Sequence, residues 1–453
     1  MKNNNKMGAV PIPKLLIMMA IPITLSMFME NLYGMLDSYF IAQISDKAFT
    51  AIAMIEPIWC AMIAVASGTS VGINALLARS LGMNDKTKAD DIARHSLFLT
   101  LLMSVIFAVL GITCSYFFFR MQTDDLEIIN HGMQYLIPIT VLSCTLFPQF
   151  ILQGLLIATG KTKYSMIAQL TGAIVDIILN PIMIFGFGFV PAMGVLGGAI
   201  ATLVGGAIAS MVAYYFNIKK NTEISLSLRG FKPSWATVKE IYSMGMPALI
   251  TYILFPITHF VLNLCLAKFS MTAVAVAGIY GKYENIIMTP IQGITSAIIP
   301  IIAYNYAAER FDRVKQAIKT GAIIGESITL LGFIIFIFFS EPLLNFYKAT
   351  PEMAKLGTIV FPIISTNFLV LGCRIVCGSC LQALSEGKKV VLLLVVRQIG
   401  IIIPLAITFT ISRNYMMIFW VFTIAEIPAL CMCFSFLKNA IEKKGQTLTN
   451  VLS

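Results

Sequence analysis

The sequence predicts an all-α integral membrane protein: twelve transmembrane helices in two six-helix lobes, related by a pseudo-two-fold axis along the membrane normal. Three observations carry this. Of the 453 residues, 58% are hydrophobic and only 12% charged, with a mean hydropathy of +0.85; a soluble protein has about a quarter of its residues charged. Apolar runs recur from end to end, each near the roughly 20 residues needed to cross about 30 Å of hydrocarbon. The chain also repeats itself at an offset of 225 residues: Pro22, Ser45, Ala48 and Gly68 return as Pro247, Ser270, Ala273 and Gly293. The runs are continuous rather than alternating, which excludes a transmembrane β-barrel.

The first apolar run, Leu15 to Ile41, is too long for a signal-peptide core and has no small-residue cleavage site after it, so it reads as the first span. Eleven more follow, giving spans at 15–43, 49–78, 93–118, 129–158, 163–188, 194–217, 241–267, 272–304, 316–339, 356–384, 390–412 and 414–437. The first lobe is then 1–217 and the second 241–453. Between them lies the longest polar stretch, 218–240, an inter-lobe linker. With the N-terminus placed inside, 23 Lys and Arg fall in cytoplasmic segments and 6 outside. That excess of cations puts both termini and the linker on the cytoplasmic side of the membrane, and makes the chain a multi-pass membrane protein. An even number of spans per lobe inserts both lobes the same way up.

The net charge of +10 is accounted for by those loops and does not point to nucleic acid. Nine cysteines all fall in apolar segments, and the Cys377/Cys380 pair has neither a second pair nor nearby histidines. They read as small packing residues rather than metal ligands. No cofactor is expected. The partners expected are the lipid bilayer and small molecules, with the chain acting as a monomer.

Ionisable side chains inside spans cost several kcal/mol unless paired or hydrated, so each is a functional candidate. The first lobe holds Glu30, Asp37, Glu56 and Asp176. The second holds His259, Lys282, Glu284, Glu326, Arg374, Arg397 and Glu426. Glu30 lies two turns before Asp37 on one helix face, with Tyr33 between. Asp176 and Asn180 share a face at i, i+4, and Pro181 frees a backbone carbonyl one turn back. Carboxylate, amide oxygen and loose carbonyl together are what a cation site needs. At the offset of 225, Asp37 meets Leu262, so the cation chemistry is expected in the first lobe only. Lys282 and Glu284 stand two apart and do not face each other; a packing role and a substrate contact are both open to them. Arg374, Arg397 and Glu426 read first as partners inside the bundle, and His259 as a packing residue.

A doubled bundle of this kind is the sequence mark of a transporter working around a central site. The chain has no G-x-x-x-x-G-K-[ST], so it does not itself hydrolyse ATP, and no enzyme motif is present. Four segments resemble the multidrug and toxic compound extrusion (MATE) family, in its MepA-like and DinF-like bacterial branch. They are "IPITLSMFMENLYGMLDSYFIAQI", "GLLIATGKTKYSM", "DIILNPIMIFGFGFVPAMGVLGGAIATLVG" and "PIIAYNYAAERFDRV". The resemblance implies an antiporter that exports amphipathic cationic compounds in exchange for H⁺ or Na⁺ by alternating access. It maps the coupling cation onto Asp37, Asp176 and Asn180, with Tyr135 and Thr202 as further members. If the ion is Na⁺, Asp37, Asp176 and Asn180 are its ligands. Substrate contacts are expected at Glu30, Tyr33, Lys282 and Glu284. Many relatives carry Asn before Asp in the fifth span, the reverse of Asp176 and Asn180. Where another branch has acids in spans seven and ten, this chain offers His259 and Arg374. A lipid-linked precursor flippase of the same superfamily is the alternative.

Overall fold

In the computed structural model, which describes residues 6–188 and 190–449 (442–449 by backbone alone), the chain is helical nearly throughout. The first half runs α1 (Lys6–Ala9), α2 (Ile12–Ala42), α3 (Asp46–Gly82), α4 (Lys86–Arg120), α5 (Leu126–Val141), α6 (Phe147–Ala158), α7 (Thr162–Phe185) and α8 (Val195–Lys219). The second half runs α9 (Trp235–Ala267), α10 (Met271–Ala307), α11 (Phe311–Phe338), α12 (Ser340–Phe346), α13 (Pro351–Ser365), α14 (Phe368–Ala383) and α15 (Gly387–Val395). A π-helical turn, Val396–Ile402, leads into α16 (Ile403–Ile411), α17 (Tyr415–Ile418) and α18 (Val421–Thr449).

Ten helical stretches are long and apolar enough to cross a membrane. The other two spans are interrupted. Helices α13 and α14 meet at a 43° bend and are together long and apolar enough for one crossing. Helices α5 and α6 share the place predicted for span four, separated by turns at 142–146. The two breaks fall at matching places in the repeat. Pro138 and Pro362 lie one turn before them, inside α5 and α13, and Pro148 in the first turn of α6 lacks the backbone donor that would have bonded back across the first break.

The anchors of the repeat have local causes. Ser45 caps α3 by accepting from the Ala48 N–H at 3.0 Å, and Ser270 caps α10 by accepting from the Thr272 N–H at 3.1 Å. Ala48 and Ala273 are fully buried. The described residues divide into two compact units. One takes those up to Gly8 and Pro22–Leu249; the other takes Ala9–Ile21 and those from Ile250 onward. Two helices, α2 and α9, therefore change unit part-way, at Pro22 and just after its repeat mate Pro247. Helix α9 starts six residues before the predicted span, so the C-terminal end of the linker is helical. In the first unit Gly72 packs against the Ile241 carbonyl and Gly245 against that of Gly68, approaches that a Cβ would block at 2.2 and 2.1 Å. The second unit is centred on Tyr280, Phe336, Phe361 and Phe368, whose rings meet mostly edge to face.

Candidate cation site in the first unit

Small residues bring α7 and α8 close enough to build the site. A Cβ on Gly172 would lie 2.6 Å from that of Ala209, and one on Gly205 would lie 2.9 Å from that of Asp176. Such seams let backbones approach where lipid provides no hydrophobic drive between helices. The result sets Asp176 and Asn180 of α7 beside Thr202 of α8, and α2 lays Asp37 against all three. The Asn180 amide donates to Asp37 Oδ1, and the Thr202 hydroxyl donates to Oδ2 at 3.1 Å. All four side chains are buried; Asp37 is 8% exposed and Asn180 0%.

The balance of charge is one-sided. Two carboxyl groups stand close enough to interact, and no Lys, Arg or His among the described residues pairs with either. Both oxygens of Asp176 and the Oδ1 of Asn180 are buried, and the polar groups that face Asp176 are the Thr202 hydroxyl and the Asp37 carboxyl group. Each such group costs about 1–3 kcal/mol if left unmet. Three acceptor oxygens beside a second carboxyl group make a site whose chemistry suits a cation or a proton and not an anion. Tyr33 of α2 and Tyr135 of α5 flank it, Tyr135 against Asp37 and Thr202. Glu30, half-buried, interacts with Tyr33 one turn away.

The residues predicted for the cation therefore assemble: Asp37, Asp176, Asn180, Thr202 and Tyr135, with Tyr33 and Glu30 at the edge. Lys282 and Glu284 belong to the second unit. They form no ion pair with each other: the Lys282 ammonium sits 5.1 Å above the Tyr347 ring. Glu56 is exposed. His259 is held by rings, 4.3 Å from Phe255 and 5.9 Å from Phe422. Among the described residues no three His, Cys, Asp or Glu side chains come together as a metal centre, and the cysteines are all free thiols.

The second unit has a buried charge cluster of its own. Glu426, fully buried in α18, accepts from Arg374 Nε on one oxygen and from Arg397 Nε on the other, the latter at 2.7 Å. Arg397 lies on the π-helical turn, which re-aims its side chain. Glu326 accepts the Cys373 N–H at 2.9 Å.

Two sets of residues escaped the sequence reading. Gln149, Gln153 and Gln169 join side chain to side chain between α6 and α7. They carry no charge, so a search for ionisable groups passes over them; the i, i+4 spacing of Gln149 and Gln153 was the available signal. The other set is at the start of α4. Asp90 accepts the Ser225 N–H at 2.7 Å, Asp91 the Thr237 hydroxyl at 3.1 Å, and the buried His95 Nε2 the Ser234 N–H at 2.8 Å. The sequence marks these acids only as a helix start; they strap the linker to the first unit.

Fold and site together define a two-lobe, twelve-span helical membrane protein with two carboxyl groups buried inside its first unit. A family sequence model described as MatE matches residues 22–182 and again 247–408, starting at the repeat-mate prolines. The chain belongs to the MATE family. It is similar to the "Multidrug export protein MepA" of Staphylococcus haemolyticus, 26% identical over 411 residues, covering 90% of this chain and 89% of that one. The protein of the same name from Staphylococcus aureus is 25% identical over 423 residues, 93% and 92% of the two chains. Among solved structures, "Crystal structure of MATE in complex with MaL6" superposes with a TM-score of 0.90 at 21% identity, over 98% of this chain and 100% of that one. "Outward-facing conformation of a multidrug resistance MATE family transporter of the MOP superfamily" gives 0.87 at 22% identity, over 98% and 99%. The structural likeness shows that the fold is shared.

Proposed function

We propose that the chain is a multidrug export antiporter of the bacterial cytoplasmic membrane, moving amphipathic cations out in exchange for H⁺ or Na⁺. The observation that carries this is the cluster of Asp37, Asp176 and Asn180, two buried carboxyl groups and an amide oxygen with no cationic side chain to meet them. The family and the relatives named for multidrug export support the reading, and the positive loops favour cytoplasmic termini.

In this reading the inward-moving cation and the drug compete for states of the first lobe. Loading of Asp37 removes the charge that holds the Asn180 and Thr202 donors, so α2 repacks against α7 and α8. The drug site weakens in the state open to the outside, and the drug leaves. Linkage requires only that cation and drug favour different states. Exchange is tested in proteoliposomes preloaded with a lipophilic cationic dye, by imposing a Na⁺ gradient and a pH gradient separately. Export should follow one gradient in the wild type and neither in Asp37→Asn. Export by Asp37→Asn at the wild-type rate, or none by the wild type under either gradient, defeats the proposal.

A further inference from the structure

The straps at the start of α4 fix the depth of the linker. Asp90 and Asp91 hold Ser225 and Thr237, and His95 accepts the Ser234 N–H at 2.8 Å. The Phe231 ring packs 4.9 Å from that of His95 and 6.2 Å from that of Phe98. With the third span taken from residue 93, a rise of about 1.5 Å per residue sets Asp90 about 5 Å outside its start and Phe98 about 8 Å inside. The headgroup layer on each side of the hydrocarbon is about 5–8 Å thick. Residues 225–237 therefore lie along the membrane surface, at headgroup level.

What the chain presents there is cationic and unpaired. Arg229, Lys232 and Lys239 are exposed and make no hydrogen bond or ion pair among the described residues. The acids nearby are engaged: Glu240 with Lys88 at 2.8 Å, Asp90 and Asp91 in the straps, and Glu223 beside Lys161. A turn closed by the Phe231 N–H on the Leu228 carbonyl at 3.1 Å, with Gly230 at φ +70°, holds Arg229 at its tip. Trp235, 71% exposed, opens α9 and shares a face with Lys239 one turn on. An indole at the end of a span suits the interface, where its ring meets apolar groups and its N–H meets polar ones.

We propose that the linker turn and the first turn of α9 form a binding site for anionic phospholipid. Arg229, Lys232 and Lys239 meet the headgroup phosphates, and Trp235 seats beside them at the level of the glycerol backbone. Charge complementarity selects this occupant: the nearby acids are already engaged, and the straps hold the three cations at the depth of the lipid phosphates. A basic side chain near an anionic leaflet is worth about fivefold in association. The site goes beyond the antiport reading and does not depend on it.

The test reads the fluorescence of Trp235 in the full-length protein, with the other two tryptophans changed by Trp59→Phe and Trp420→Phe. The protein is reconstituted in vesicles of phosphatidylcholine and phosphatidylglycerol. Bromine, which quenches indole, is carried near the headgroup by one lipid or by the other at equal mole fraction. Brominated phosphatidylglycerol should quench Trp235 at least about fivefold more effectively than brominated phosphatidylcholine. The triple variant Arg229→Gln, Lys232→Gln, Lys239→Gln should bring the two close to parity. Neutralising three exposed lysines of the second unit, by Lys315→Gln, Lys319→Gln and Lys388→Gln, should leave the preference in place. Equal quenching in the wild type, or a preference that survives the first triple variant, overturns the proposal. So does an equal loss in the second, which would make the effect one of general surface charge. Inorganic phosphate at matched ionic strength should not compete; abolition of the preference by it would assign the site to a soluble anion instead. If the tryptophan changes prevent folding, native mass spectrometry of the otherwise unaltered protein and the same two triple variants, counting retained phosphatidylglycerol, gives the same comparison. Because neither readout needs transport, failure of export under any gradient defeats the antiport reading and leaves this inference standing.

Discussion

Glu426→Gln tests whether the charge cluster of the second unit is architecture or machinery. In the wild type one carboxylate answers two arginines, each side chain about 10% exposed against 0% for Glu426. The amide keeps the shape but offers a single acceptor oxygen and no charge. One guanidinium loses its partner, and two like charges are left facing each other inside the bundle. Breaking a buried ion pair from one side costs about 3–5 kcal/mol. At about 1.4 kcal/mol per decade, that is a hundredfold to several-thousandfold rise in the unfolded fraction. Thermal unfolding of the protein in detergent should show a large fall in the midpoint. The triple variant Glu426→Leu, Arg374→Met, Arg397→Leu removes all three charges and should recover most of the loss, because apolar replacement of a buried triad is often neutral or better. If that variant also exports dye at the wild-type rate, the triad is packing. An unchanged midpoint for Glu426→Gln would refute the reasoning, since it would mean the arginines are already hydrated.

Gly205→Ala places a methyl group 2.9 Å from Asp176 Cβ and from the Gly172 carbonyl; overpacking of about 1–3 kcal/mol and loss of gradient-driven export are expected. Gly278→Ala, which meets nothing within 4 Å, serves as the matched control in both assays. His95→Phe strands the Ser234 N–H at a cost of about 1–3 kcal/mol and should open residues 222–234 to limited proteolysis, while His95→Gln, which can still accept, should protect them. At the other face Lys47 bridges Asp125 at 2.9 Å and Glu127 at 2.7 Å. Hydrogen bonds that it donates to Glu127 and then Asp125 hold the Lys47 ammonium above its usual value, and the bond from Lys47, followed by the Glu127 N–H, holds Asp125 below its own. The bridge therefore contributes above about pH 4 and below about pH 10. It is lost as pH falls through the lowered Asp125 value or rises through the raised Lys47 value. Being exposed, it is screened, so Lys47→Ala at neutral pH should leave the melting curve unmoved.

Most of the architecture was legible because membranes make sequence literal. A span must be apolar for its whole length, so the composition of α3, α4 or α10 announces it without reference to neighbours. The interrupted spans were less legible. The apolar run at 129–158 is continuous in hydropathy, yet α5 stops at Val141 and α6 resumes at Phe147, because Pro138 and Pro148 act on hydrogen bonds that hydropathy does not see. The exchange of unit along α2 and α9 is a property of packing. The prolines at 22 and 247 mark where it happens, but nothing in either helix alone says which partner each half will choose.

The site was legible in proportion to its charge. Asp37 and Asp176 stood out because a carboxyl group in a span needs a reason. Their meeting depended on Gly172 and Gly205, whose role is the absence of a side chain and which therefore leave little mark on composition. The order of Asp176 and Asn180 gains a physical meaning once the helices are placed. The Asn180 amide sits where it can donate to Asp37, so that carboxyl group has a donor from α7 as well as the Asp176 carboxyl group beside it. Asp176 stands one turn earlier on α7, facing Thr202 and Asp37. With the helices so placed, Asp37 is held by donors from both α7 and α8, and it is the packing of those two helices that the order of the pair serves.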